Sequence, residues 1–132
     1  MKLIDTHSHL YAEEFDDDRS EALARAREGG VVRLLLPAID KESNERLFAL
    51  ARDAKNVCRP MMGLHPTSVN DNPAWRDELA LVEKYLENPP VERFYGVGEI
   101  GLDLYWSRDF REEQMEAFGH QIELSLRYNL PI

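Results

Sequence analysis

The sequence predicts an α/β fold of four strand–helix units, arranged as the first half of a (β/α)8 barrel. Three observations point there. Short apolar runs alternate with helical patterns four times along 132 residues, the order that builds parallel sheets. One run, Val31-Val32-Arg33-Leu34-Leu35-Leu36, is almost continuously apolar, as strands covered on both faces are. Dividing 132 residues by four gives about 33 per unit, close to the roughly 31 of a barrel whose eight units take about 250 residues. On periodicity alone, an open parallel sheet satisfies the same alternation.

The first strand is predicted over Lys2 to His7. Asp16, Asp17 and Asp18 then place negative charge where a helix N-terminus favours it, ahead of Ala22, Leu23 and Ala26, and Gly29-Gly30 ends that helix. Pro37 closes the second strand, and a helix from about Lys41 carries Leu47, Leu50, Ala51 and Ala54 on one stripe. The third strand covers Val57 to Met62, with the loop Gly63-Leu64-His65-Pro66 and then a helix whose Trp75, Leu79, Val82 and Leu86 recur at helical spacing until Asn88-Pro89-Pro90. The fourth strand covers Phe94 to Glu99. Its helix is expected to open at Asp109 with Glu112 completing a capping box, and to bury Met115, Phe118, Ile122 and Leu126. Asn129-Leu130-Pro131-Ile132 reads as the approach to a fifth strand.

Composition narrows the function classes. The balance of 16 basic against 25 acidic residues, a net charge of −9, argues against nucleic-acid binding by bulk charge but leaves room for a local site where cations supply the positive charge. The single cysteine, Cys58, allows neither an intramolecular disulfide nor a thiolate cluster and reads as a buried structural thiol. The start of the chain has no signal-peptide pattern, and no run is long enough to span a membrane. A cytoplasmic protein with no membrane partner is expected.

His7 and His9 lie two apart at the end of the first strand, where a period of two turns both imidazoles to one face. An isolated His-x-His is most simply a pair of loop histidines. At the carboxyl end of the first strand of a βα series, where catalytic groups gather, a shared divalent cation is the better account. Asp5 precedes the pair as a ligand or as an acceptor that orients an imidazole. Glu99 ends the fourth strand inside Gly96-Val97-Gly98-Glu99-Ile100-Gly101-Leu102-Asp103, and a carboxylate there is costly unless something partners it. Two imidazoles and a carboxylate suit zinc, manganese and similar ions alike. His65, at the same end of the sheet, either meets a phosphate or a substrate oxygen or simply packs. Tyr105, Trp106, Arg108 and Arg111 set aromatic rings beside guanidinium groups, a combination that stacks a base and holds a phosphate, or simply anchors a loop. His120 points away from the expected apolar stripe and reads as a surface histidine. Glu13 to Asp18 reads as a solvated helix start.

The segments Ile4-Asp5-Thr6-His7-Ser8-His9-Leu10, Gly63-Leu64-His65-Pro66 and Gly98-Glu99-Ile100-Gly101-Leu102-Asp103, in this order, resemble the TatD family of metal-dependent deoxyribonucleases. Other barrel hydrolases also open on Asp-x-His-x-His; the Gly-Glu-Ile-Gly-Leu-Asp segment is the more telling. The resemblance implies a TIM-type barrel with one or two divalent ions (Mg, Mn, Zn or similar) in its mouth, hydrolysing phosphodiester bonds in DNA, often as a 3′–5′ exonuclease. It implies metal roles for His7, His9 and Glu99, and substrate-binding or supporting roles for Asp5, His65, Asp103, Tyr105 and Arg108. Residues 1–132 then form the N-terminal half, ending before the fifth strand. Further histidines and the activating aspartate of the family would lie beyond residue 132, so the chain alone is expected to be inactive or poorly active. Its exposed strand edges are expected to associate with another chain. The alternatives are an inert structural or metal-binding half-barrel, and a related barrel hydrolase acting on a small phosphoester or amide.

Overall fold

The computed structural model describes every residue from Met1 to Ile132. Three parallel strands, β1 (Leu3–Asp5), β2 (Val31–Leu36) and β3 (Cys58–Pro60), form one sheet in the order β1-β2-β3. Leu3 pairs with Val31, and Leu34 and Leu36 pair with Cys58 and Pro60. The connections run through α1 (Arg19–Glu28) and α2 (Asn44–Asp53), and α3 (Trp75–Glu87) and α4 (Arg111–Tyr128) follow. No helix is long and apolar enough to cross a membrane.

The fourth predicted strand is present as a path but not as a full ladder. Phe94–Glu99 runs beside the end of β3 through Tyr95 N–H to the Pro60 carbonyl (2.8 Å), Met62 N–H to the Gly96 carbonyl (3.1 Å) and Gly98 N–H to the Met62 carbonyl (3.0 Å), with one parallel bridge between Met62 and Val97. Pro60 turns its carbonyl to this run and has no N–H to offer, so the ladder cannot start earlier. Close approach explains one of the glycines beside this run: a Cβ on Gly63 would stand 2.9 Å from the backbone carbonyl carbon of Gly98. On the far side of the run, Val97 N–H donates to the Pro131 carbonyl at 2.8 Å.

The core joins the sheet to α2, α3 and α4. Leu34 and Leu36 of β2 are buried with Leu47, Phe48 and Leu50 of α2 and Trp75, Leu79, Val82 and Leu86 of α3, the α3 set being the one its spacing predicts. Phe48 stacks edge-on against Tyr85 with centroids 5.0 Å apart. The alternation along β2 leaves Arg33 exposed and Leu35 half-buried.

Helix boundaries depart from expectation where local side-chain bonds compete with the helix. α1 is the exception: it begins at Arg19, directly after Asp16–Asp18 as expected, and a 3-10 turn at Glu13–Phe15 precedes it. α2 begins at Asn44 because Ser43 donates to Asp40 Oδ1 from both its N–H (2.9 Å) and its hydroxyl (2.7 Å). In α4 the expected capping box does not form: the residue before the helix is Phe110, with no side-chain cap. The expected stripe is also turned away from the core. Gln114, Ala117, Gln121, Leu124 and Ser125 are buried, whereas Met115 and Leu126 are 42% and 76% exposed. Buried amides tip the balance, because each pairs both its oxygen and its nitrogen. Gln121 accepts from Leu64 N–H (2.7 Å) and donates to the Leu64 carbonyl (3.2 Å). Gln114 does the same with Asp103 (2.8 and 2.9 Å) and also donates to Asn70 Oδ1 at 2.7 Å.

Candidate metal centre

The chain leaves β1 at Asp5 and continues extended, with Ser8 N–H on the Leu35 carbonyl at 3.0 Å. This carries His7 and His9 past the end of β2 on one side of the chain, their rings edge-to-face with centroids 4.9 Å apart. Asp5 accepts from the His7 backbone N–H at 3.1 Å, so it shapes the turn rather than an imidazole. The segment after β2 is a hub. Ala38 N–H donates to the Gly98 carbonyl and Glu99 N–H to the Ala38 carbonyl, each at 2.9 Å, and His65 N–H donates to the Ile39 carbonyl at 2.9 Å. Three backbone bonds thus bring Glu99 and His65 to the end of the sheet that holds the histidine pair. The Gly98–Glu99 peptide bond is cis.

The result is a compact triangle of donors. His7 Nε2 and His9 Nε2 are 3.1 Å apart, and Glu99 Oε2 lies 3.0 Å from His7 Nε2 and 3.3 Å from His9 Nε2. Edges of this length are what three ligands of one cation show when each bond is about 2.0–2.2 Å. The donor chemistry agrees: two ring nitrogens and a carboxylate oxygen, all able to present lone pairs, converge on one point, and a cation there removes their mutual repulsion. The residues therefore fit a divalent ion. His65 stands on the other carboxylate oxygen, with Nε2 3.3 Å from Glu99 Oε1. An open concavity of about 500 Å³, lined in part by His7, Leu35, Pro37, Glu99 and Ile132, adjoins the triangle.

Electrostatics set the protonation states. Partial burial pulls His9 below the ordinary histidine value; Glu99 opposes that shift and His7 adds to it. Burial, then Asp40 and Glu99, push the Tyr11 hydroxyl well above the usual tyrosine value, so it keeps its proton. His65 is the cap of a 3-10 turn at Pro66–Ser68, its Nδ1 accepting from Thr67 N–H at 3.1 Å.

Of the remaining predicted residues, Asp103 uses its carboxylate to accept from Tyr105 N–H at 3.0 Å. Tyr105 and Trp106 are 84% and 75% exposed and pack edge-to-face at 4.9 Å, with Arg108 also exposed. Asp109 donates its N–H to Ser107 Oγ at 3.1 Å. His120 is half-buried and 3.3 Å from Glu83, which Arg127 also meets. Cys58 is buried. Sequence reasoning missed Tyr11, wholly buried beside His9, the Pro37–Ile39 hub, and the glutamines that hold the loops carrying Leu64 and Asp103. A tyrosine two residues after His9 was the available signal; backbone carbonyls give none.

Known proteins resemble nearly the whole of this chain. The chain is 32% identical over 134 residues to the uncharacterized metal-dependent hydrolase YabD of Bacillus subtilis, covering 98% of this chain and 49% of that protein. It is 30% identical to the 3′-5′ ssDNA/RNA exonuclease TatD of Dickeya dadantii, covering 98% and 47%. The crystal structure of YjjV, a TatD homologue from Escherichia coli, superposes with a TM-score of 0.84 at 34% identity, covering 98% of this chain and 48% of that one. The chain thus spans about half the length of the relatives it matches. The α/β fold is that of half a TatD barrel. Residues 4–132 match the family described as TatD related DNase, and the chain belongs to that family.

Proposed function

We propose that this chain is the N-terminal, metal-binding half of a deoxyribonuclease that hydrolyses phosphodiester bonds in DNA, working as a 3′–5′ exonuclease in the whole protein. The carrying observation is the His7–His9–Glu99 triangle, with its three donor atoms within 4.8 Å of one another. A divalent cation held there supplies Lewis acidity toward a phosphoryl oxygen and makes water a stronger acid. Around it the chain's own residues bind and orient. Glu99 divides its two oxygens between the triangle and His65. His65, whose Nδ1 is occupied by Thr67 N–H, holds its Nε2–H 3.3 Å from Glu99 Oε1, a long contact that a phosphate oxygen would share. Tyr105 and Trp106 offer exposed rings to an unstacked base, and Arg108 a guanidinium to the backbone. Asp5 and Asp103 hold the turns that carry these groups.

The family and the relatives' descriptions support a metal-dependent hydrolase of nucleic acid. The half site alone is expected to bind its cation weakly and to turn over DNA poorly, and its thin β1 edge, with Leu3 and Ile4 exposed, is expected to associate with another chain. A reducing, cytoplasmic setting suits the free Cys58. The test is Mn²⁺- or Mg²⁺-dependent release of nucleotides from 3′-labelled single-stranded DNA by the full-length protein, beside Mn²⁺ titration of this chain. His7→Ala or Glu99→Gln should lower cation affinity at least about 100-fold, beyond the roughly 10–100-fold typical of supporting residues, and abolish release. Mn²⁺ binding without any hydrolysis would make this an inert metal-binding module. Turnover of a small phosphoester or amide with DNA untouched would reassign the substrate.

A further inference from the structure

The two histidines that flank Glu99 are held in opposite ways. His65 Nδ1 accepts from Thr67 N–H at 3.1 Å, which leaves the Thr67 hydroxyl, 2.7 Å from the same nitrogen, to donate to it as well, so in the neutral ring the proton resides on Nε2. His9 Nδ1 instead faces the Tyr11 hydroxyl at 3.0 Å. That hydroxyl has one proton and donates it to the Pro37 carbonyl at 2.6 Å, which leaves only its lone pairs for His9. His9 must therefore carry its proton on Nδ1 and present a bare Nε2.

We propose that Tyr11 is a positioning residue that holds His9 in the Nδ1–H tautomer and so turns the Nε2 lone pair toward the cation. The proposal deepens the metal reading above and rests on it for its purpose, though not for the hydrogen-bond geometry. Tyr11 is suited to the task because it is wholly buried and its ring meets that of His9 edge-on at 5.7 Å. Its anchor is also fixed: Pro37 opens the same segment that sets Glu99 and His65 through Ala38 and Ile39. One hub thus orients the carboxylate through the backbone and the imidazole through a phenol. Partners of this kind, on the far nitrogen of a ligating histidine, settle ring orientation and tautomer in metal sites. Thr67 does the reverse at His65, which keeps that ring as a hydrogen-bond donor and out of the ligand set.

The test is long-range ¹H–¹⁵N correlation of the imidazoles in metal-free protein at pH 8, where histidine is neutral, followed by Mn²⁺ titration. In the unaltered chain, His9 should show a protonated Nδ1 and a bare Nε2, and His65 the opposite. Tyr11→Phe keeps the buried ring; it should shift His9 toward the Nε2–H form, leave His65 unchanged, and weaken Mn²⁺ about 10-fold or more. A protonated Nε2 on His9 in the unaltered chain overturns the proposal even if the variant does not fold, and so does an unchanged His9 tautomer in the variant. The expected tautomers in a chain that takes up no Mn²⁺ support the Tyr11 assignment while sinking the metal reading.

Discussion

The two flanks of the sheet are held by different forces. On the β3 side, Met62, Phe94 and Val97 are buried in one core with apolar side chains of α2, α3 and α4, and α4 adds two buried glutamines. On the β1 side, all three strand residues are exposed and α1 has no buried residue. What fastens that flank is largely polar. Arg19 donates to the carbonyls of Leu10, Tyr11 and Ala12, Asp16 binds both Arg19 and Arg46, and Tyr11 bonds to Pro37. Apolar burial scales with area and tolerates pH and salt, whereas exposed ion pairs contribute little and are screened. The pair of histidines sits on the weaker flank, and its supporting carboxylate comes from the stronger one.

The sharpest way to break the contrast is in the core. Phe48→Ala should cost about 3–5 kcal/mol by denaturant unfolding, since the ring is fully buried and its removal opens a cavity. Next, Gln121→Leu should cost about 1–3 kcal/mol, because the buried Leu64 N–H and carbonyl lose both bonds; a neutral result would mean that water replaces the amide.

Acid should act in two windows. His9 is depressed below its unfolded value near 6.5, so the unfolded chain takes up that proton first, and stability of the metal-free protein should fall as pH drops through about 6.5. Urea midpoints at pH 7.5 and 5.5, repeated on His9→Gln, isolate this share. Asp16 is depressed by Arg46 and Arg19, and Glu83 by Arg127 and then His120. Their stabilisation is present above the ordinary carboxylate range and is lost as pH falls through the lower folded values. Amide exchange should show α1 loosening before α4. The smallest effect is expected at Ile4, 60% exposed: with the chain diluted to monomer, Ile4→Thr should change stability by no more than about 0.5 kcal/mol, and the same comparison at high concentration tests the expected association. A larger loss there would show that another chain covers this edge in solution.

Much of this was legible in the residues. The apolar runs located β1, β2 and β3, and the order of strand ends located His7, His9, His65 and Glu99, because strand periodicity and parallel connection leave few alternatives. Periodicity failed at α4, where it counts apolar side chains and cannot see that Gln114 and Gln121 have complementary backbone partners far along the chain. It also failed at the fourth strand, where Pro60 withholds a donor from its neighbour. The Pro37–Ile39 hub works through carbonyl and amide groups that every residue possesses, and Tyr11 has the profile of an ordinary core aromatic until its hydroxyl is followed to its acceptor.

Cys58 gives the molecule a clock. It is the one cysteine of the chain, and burial raises its thiol to about 11, so about one folded molecule in a thousand carries a thiolate at pH 8, whereas an unfolded thiol near 8.5 is substantially ionised. Each alkylation event therefore marks an opening of the sheet at β3. Where alkylation of the open form outpaces reclosing, shown by a labelling rate that no longer rises with reagent concentration, the labelling time becomes the lifetime of the closed state. Followed with and without Mn²⁺, that lifetime reports whether a cation on the weaker flank is felt at the strand two places away.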